Sequence, residues 1–136
     1  MKKVLIVGGS GTIGSAFIKE FYNEYEFSSI SRNELMQAEL KRKFPKVDIY
    51  FSDIESQDNL TTIFLKVKPD IVIHMAAMKH VNLAEENPIN ACRVNVLGSL
   101  NVVNASIRAN VPTTIAISTD KACFPENVYG YSKSLM

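Results

Sequence analysis

Tyr129 and Lys133 stand four residues apart within Tyr129-Gly130-Tyr131-Ser132-Lys133. On a helix that spacing puts both side chains on one face. A nearby ammonium favours the phenolate and lowers a tyrosine pKa from its usual ~10. Such a pair can accept the proton of an alcohol whose hydride leaves for a nicotinamide. The spacing alone is common by chance. It gains weight from Ser118-Thr119-Asp120-Lys121, which ends an apolar run just upstream, and from a glycine-rich loop near the N-terminus.

That loop is Gly8-Gly9-Ser10-Gly11-Thr12-Ile13-Gly14. It follows an apolar run and opens an amphipathic stretch, and it satisfies Gly-x-Gly-x-x-Gly from Gly9. Glycines there permit a tight turn and a close approach of backbone to a pyrophosphate. The helix that follows offers unpaired N–H groups and a positive dipole end. Gly8, Ser10, Gly11, Thr12, Ile13 and Gly14 are therefore candidate dinucleotide-binding residues. No Gly-Lys-Ser/Thr follows, which excludes a nucleoside-triphosphate loop.

Three later segments fit the rest of a dinucleotide. Where an Asp or Glu would bind a free ribose 2′-hydroxyl, the chain has Ser31-Arg32. A hydroxyl beside a guanidinium suits a 2′-phosphate, so NADP is expected. Glu34 keeps NAD open, and an Arg that only stacks on adenine is the plainer alternative. Asp53 can accept from the adenine amino group while Ile54 packs on the ring, or Asp53 can cap the helix that follows. Ala76 and Ala77 are small residues where backbone must approach a cofactor.

These residues need a scaffold, and the chain supplies one. Short β-branched runs at 3–7, 26–30, 47–51, 71–74 and 114–118 alternate with amphipathic stretches at 12–22, 34–43, 57–66 and 89–109, and a last helix opens at 128–136. The pattern predicts an α/β fold: a Rossmann-type doubly wound parallel sheet of order 3-2-1-4-5. The fully apolar strands suit coverage on both faces. Gly98 in the longest stretch suggests close packing on a neighbour. Residues 1–136 are expected to be one NAD(P)-binding domain, truncated before a substrate domain, because the chain stops inside its last helix.

Composition agrees. Apolar residues make up 46 % and charged residues 21 %, enough to fill one core. The net charge is +1 with no basic cluster, so neither nucleic acid nor an anionic membrane is an expected partner. No apolar run approaches membrane length, and Cys92 and Cys123 read as free thiols, so a cytoplasmic location is expected. His74 and His80 lack a partner at metal-binding spacing, and no metal site is expected. Lys79 meets a phosphate, a neighbouring subunit or only solvent. Asn95 organises water, or serves capping or packing.

The motifs together resemble the extended short-chain dehydrogenases/reductases that act on nucleotide sugars. Ser31-Arg32-Asn33-Glu34, Ala76-Ala77-Met78-Lys79-His80-Val81, Glu85-Glu86-Asn87-Pro88, Asn95-Val96-Leu97-Gly98 and Ser118-Thr119-Asp120-Lys121-Ala122 are similar to the polysaccharide-biosynthesis branch. That branch holds the inverting UDP-N-acetylglucosamine 4,6-dehydratases and 5-epimerising relatives. The resemblance implies that Tyr129 deprotonates a sugar 4-hydroxyl while NADP takes the C4 hydride. It implies that Lys133 binds the nicotinamide ribose and Thr119 the sugar oxygen. Lys121, its pKa lowered by burial and a neighbouring cation, would remove the C5 proton, and protonated Asp120 would serve the departing 6-hydroxyl. A solvated turn is the plainer reading of Asp120-Lys121.

Some 5-epimerising relatives carry methionine in place of the tyrosine, so Tyr129 leans towards dehydratase. A nucleotide-sugar epimerase, a dehydratase/5-epimerase and a non-catalytic NAD(P)-binding module stay open. The resemblance also implies a UDP-linked substrate, a homo-oligomer formed through the long helix and the last one, and no turnover by residues 1–136 alone.

Overall fold

The computed structural model describes residues 1–136. Five parallel strands form one sheet: β1 (Lys3–Val7), β2 (Glu26–Ser31), β3 (Asp48–Phe51), β4 (Ile71–His74) and β5 (Thr113–Ala116). Their order is β3-β2-β1-β4-β5, as the sequence predicts. Helices α1 (Thr12–Phe21), α2 (Glu34–Lys43) and α3 (Gln57–Val67) join the first four strands.

The sheet is covered on both faces because side chains alternate along each strand. In β1, Leu5 and Val7 point to one face, where Ile30, Leu60, Phe64, Val72 and Val102 complete a core. Val4 and Ile6 point to the other, where they meet Ile18, Phe27, Leu40 and Ile73. Burying one such side chain is worth roughly 1.5–3 kcal/mol. Local chemistry sets the helix ends. Asn33 accepts from Met36 N–H to start α2, and α3 stops where Lys68 turns left-handed before Pro69.

Three features depart from expectation. A short helix, α4 (Val81–Glu86), follows β4. The stretch expected as one helix over 89–109 is α5 (Pro88–Cys92), a π-helical segment (Arg93–Gly98) and α6 (Ser99–Arg108), with helical backbone angles at both junctions. Ile54 does lie over Gly98, where an added Cβ would be 2.6 Å from Ile54 Cδ1. Finally, β5 is shorter than 114–118 and exposed along its length. Its ladder ends at the His74–Ala116 pair because β4 ends there, and one bond from Ile117 N–H to His74 O remains beyond it. The last helix, α7 (Val128–Leu135), begins where Asn127 accepts from Gly130 N–H.

Candidate functional site

A cleft of about 200 Å³ opens at the C-terminal ends of the strands, where the order reverses between β1 and β4. Ligands of doubly wound sheets bind at this place. Gly8, Ser10, Gly11, Ser31, Arg32, Asp53, Ile54, Ala76 and Ala77 line it. Thr12 and Ile13 are exposed on the first turn of α1 and do not line it.

The shape of the loop depends on its glycines. Gly8 has φ +93°, and a Cβ there would lie 2.8 Å from Ala76 N, so two loops come close only because the side chain is absent. Gly14 serves packing: its Cβ would sit 2.7 Å from Gly9 Cα. Gly11 caps α1 without a side chain, so the first-turn N–H groups have no intrahelical acceptor and remain for a ligand.

At the other end of the cleft, Arg32 Nη1 lies 3.6 Å from Asp53 Oδ2. Asp53 Oδ1 also accepts from Glu55 N–H at 3.0 Å, which stabilises the turn before α3, while the α3 cap position is Ser56. Asp53 thus lines the cleft and organises a turn, but it does not cap α3, so the helix-cap alternative is overturned. Glu34 is exposed and does not line the cleft. Met36, Ser52 and Val94 line the cleft as well, and so does Lys79, for which phosphate, subunit and solvent were all open. Met36, Ser52 and Val94 carry no motif, and only the fold reveals them.

The second cluster forms beside α7. Tyr129 and Lys133 are buried and do not line the cleft. The Tyr129 ring packs with Ala84, Ala91, Met78, Val81 and Val128. α4, missed in the sequence, thus holds the tyrosine, and Glu85 Oε1 accepts from Val128 N–H at 2.5 Å. Lys133 Nζ donates to Ile117 O at 2.8 Å, and burial pushes its pKa down.

Thr119, Asp120 and Lys121 form the turn that leads to α7. Thr119 Oγ1 accepts from Lys121 N–H at 3.4 Å and donates to Asp120 Oδ1 at 3.1 Å. The start of α7 presses on this turn, since a Cβ on Gly130 would be 2.6 Å from Lys121 O. Asp120 and Lys121 are exposed, so the burial expected of Lys121 is not present.

Between the clusters lies a buried polar network. Ser99 Oγ is 2.6 Å from Asn95 O and 2.8 Å from His74 Nε2. The carbonyl can only accept, so Ser99 spends its one hydrogen there and accepts from His74 Nε2–H. His74 thus carries hydrogen on Nε2. Its pKa falls to about 4 through burial and the Lys133 charge, and Nδ1 is buried without a partner. Cys92 and Cys123 are free and exposed.

Comparison with known proteins agrees with this architecture. Residues 4–136 match the family described as Polysaccharide biosynthesis protein. The chain is 39 % identical over 137 residues to a UDP-N-acetylglucosamine 4,6-dehydratase (inverting) of Campylobacter jejuni, covering 97 % of this chain and 40 % of that protein. It is 35 % identical over 143 residues to a UDP-glucose 4-epimerase of Rickettsia canadensis, covering 99 % and 41 %. The X-ray structure of Pen from Bacillus thuringiensis superposes with a TM-score of 0.92 at 33 % identity, covering 98 % of this chain and 42 % of that one. The chain thus spans about two fifths of the length of the curated relatives it matches. A Rossmann-type sheet of order 3-2-1-4-5 and a family match over residues 4–136 lead to one assignment: this chain belongs to the polysaccharide biosynthesis protein family.

Proposed function

We propose that residues 1–136 are the cofactor-binding portion of an NADP-dependent nucleotide-sugar 4,6-dehydratase acting on a UDP-N-acetylglucosamine-like substrate. The observation that carries the reading is the juxtaposition at α7: the Thr119-Asp120-Lys121 turn packs on the helix that holds Tyr129 and Lys133. Gly8, Ser10, Gly11, Ser31, Arg32, Asp53, Ile54, Ala76 and Ala77 would hold the dinucleotide, with Thr12, Ile13 and Gly14 offering first-turn N–H groups to its diphosphate. The Gly8 cradle and the start of α1, which has no side-chain cap, fit such a group. When bound, the nicotinamide accepts a hydride and returns it.

The chain's own residues divide the proton work. Tyr129 takes the proton of the sugar 4-hydroxyl, and Lys133 holds the nicotinamide ribose and supports Tyr129. Thr119 hydrogen-bonds the sugar oxygen. Oxidation at C4 acidifies C5, whose proton goes to Lys121, while Asp120 protonates the 6-hydroxyl as it leaves as water, and C5 takes a proton back when C6 receives the hydride. Asp120 and Lys121 are exposed in the free chain, so bound substrate must supply their desolvation. The enzyme is proposed to work in the cytoplasm in surface polysaccharide synthesis. Leu97, Leu100, Val103 and Ile107 form an exposed apolar stripe on the long helix, which supports a homo-oligomer. No helix is long and apolar enough to cross a membrane.

The test takes the complete reading frame containing residues 1–136, with UDP-N-acetylglucosamine and NADP⁺, and follows product mass. Loss of one water, abolished in Lys121→Ala and slowed about 10²-fold or more in Tyr129→Phe, supports the reading. A product of unchanged mass with inverted C4 supports the epimerase, the reading favoured by the Rickettsia relative. Dinucleotide binding with no change in any nucleotide sugar leaves a binding module.

A further inference from the structure

Asn95 is fully buried in the π-helical segment, and both ends of its amide are used. Oδ1 accepts from Met78 N–H at 2.8 Å. Nδ2 donates to Met78 O at 3.0 Å and to Ser132 Oγ at 2.8 Å. Ser132 Oγ in turn donates to Tyr129 O at 2.9 Å. Met78 directly follows Ala76 and Ala77, which line the cleft, and Ala76 backs onto Gly8. One side chain therefore ties the cleft loop to the helix that carries Tyr129 and Lys133.

Only a carboxamide meets these demands. It must accept from one N–H and donate to two oxygens. Aspartate could accept but not donate, and leucine could do neither. In a buried site each unmet partner costs about 1–3 kcal/mol, so the bracket resists partial rupture. Its base is fixed as well, because His74 Nε2–H and the Ser99 hydroxyl pin the Asn95 carbonyl to the end of β4.

We propose that Asn95 is a positioning residue that couples occupancy of the cleft to the order of α7. A diphosphate bound at the glycine loop steadies Ala76 to Met78, and Asn95 passes that constraint through Ser132 to Tyr129. The proposal rests on the dinucleotide reading of the cleft. The coupling is a free energy between two places, and it travels through named hydrogen bonds.

The test uses ADP on the 136-residue chain, because ADP carries adenosine and diphosphate but no nicotinamide riboside that could touch Lys133 directly. Calorimetry measures ADP affinity, and amide hydrogen exchange reports on residues 129–133 with and without saturating ADP. In the wild type, ADP slows exchange in α7 about fivefold or more. In Ser132→Ala, and separately in Asn95→Ala, ADP affinity stays within about twofold while the slowing disappears. ADP that binds without slowing α7 in the wild type overturns the proposal, as does undiminished slowing in Ser132→Ala. ADP that does not bind overturns the dinucleotide reading itself, a separate failure visible in the calorimetry alone.

Discussion

Arg32 and Asp53 face each other across the ends of β2 and β3, with Nη1 3.6 Å from Oδ2 at the lip of the cleft. The guanidinium that would meet a 2′-phosphate is thus already held by a carboxylate. The pair is largely exposed, and such pairs are worth about 0–1 kcal/mol. A charge-assisted bond to phosphate is worth about 1.5–3 kcal/mol, so a 2′-phosphate would win the arginine. Arg32→Ala should weaken NADP⁺ about tenfold or more and leave NAD⁺ nearly unchanged in calorimetry. Asp53→Asn should tighten NADP⁺ by up to about fivefold. Equal losses for both cofactors in Arg32→Ala would mean that the arginine only stacks on adenine.

Gly14→Ala tests the packing of α1. The new methyl would stand 2.7 Å from Gly9 Cα and Gly9 O, which are backbone atoms that cannot swing aside. The helix must lift, at a cost of about 1–3 kcal/mol. Urea denaturation should show the loss, and dinucleotide affinity should fall with it. An unchanged denaturation midpoint would mean that α1 has more room than the geometry gives it.

Gln37 is fully buried on a helix of mixed and charged composition. Its Oε1 accepts from Ser29 Oγ at 2.8 Å, and its Nε2 donates to Ser29 O at 3.1 Å and Tyr50 O at 2.9 Å. Gln37→Leu keeps most of the volume and strands these groups. Stability should drop by about 1–3 kcal/mol, read from chemical denaturation.

His74 makes stability depend on pH. Its folded pKa, about 4, lies below the unfolded value of 6.5. The unfolded chain therefore binds the proton first, and stability falls as pH drops from about 6.5 to about 4. The full effect is on the order of 3 kcal/mol. His74→Gln, which can still donate to Ser99 but does not titrate, should flatten that part of the profile. A wild-type melting temperature constant between pH 7 and pH 4.5 would rule out a buried neutral His74.

The sheet order and the cleft were readable because their signals are local. Gly8 to Gly14, Ser31-Arg32 and Asp53 each sit just after an apolar run, and a parallel sheet gathers all strand ends at one edge. The π segment was not readable. Its hydrophobic positions continue those of α5 and α6, and only hydrogen bonding separates the three. α4 was too short to show a period, yet it packs on Tyr129. Asn95 left packing, capping and water all open, because its partners lie 17 and 37 residues away. The exposure of Lys121 was hidden for a similar reason: a motif names residue types and says nothing of what covers them.

Placing β1 at the centre of the sheet has a consequence for the order of assembly. β1 pairs with β2 and also with β4, and Lys3 N–H reaches Asp70 across 67 residues of chain. A strand that leaves the ribosome early must wait for a neighbour made much later, and closing so long a loop slows folding. Until β4 arrives, Gly8 has no Ala76 to lie against and the cleft has no second wall. Dinucleotide affinity in a nascent chain should therefore switch on late and abruptly, as the fourth strand docks.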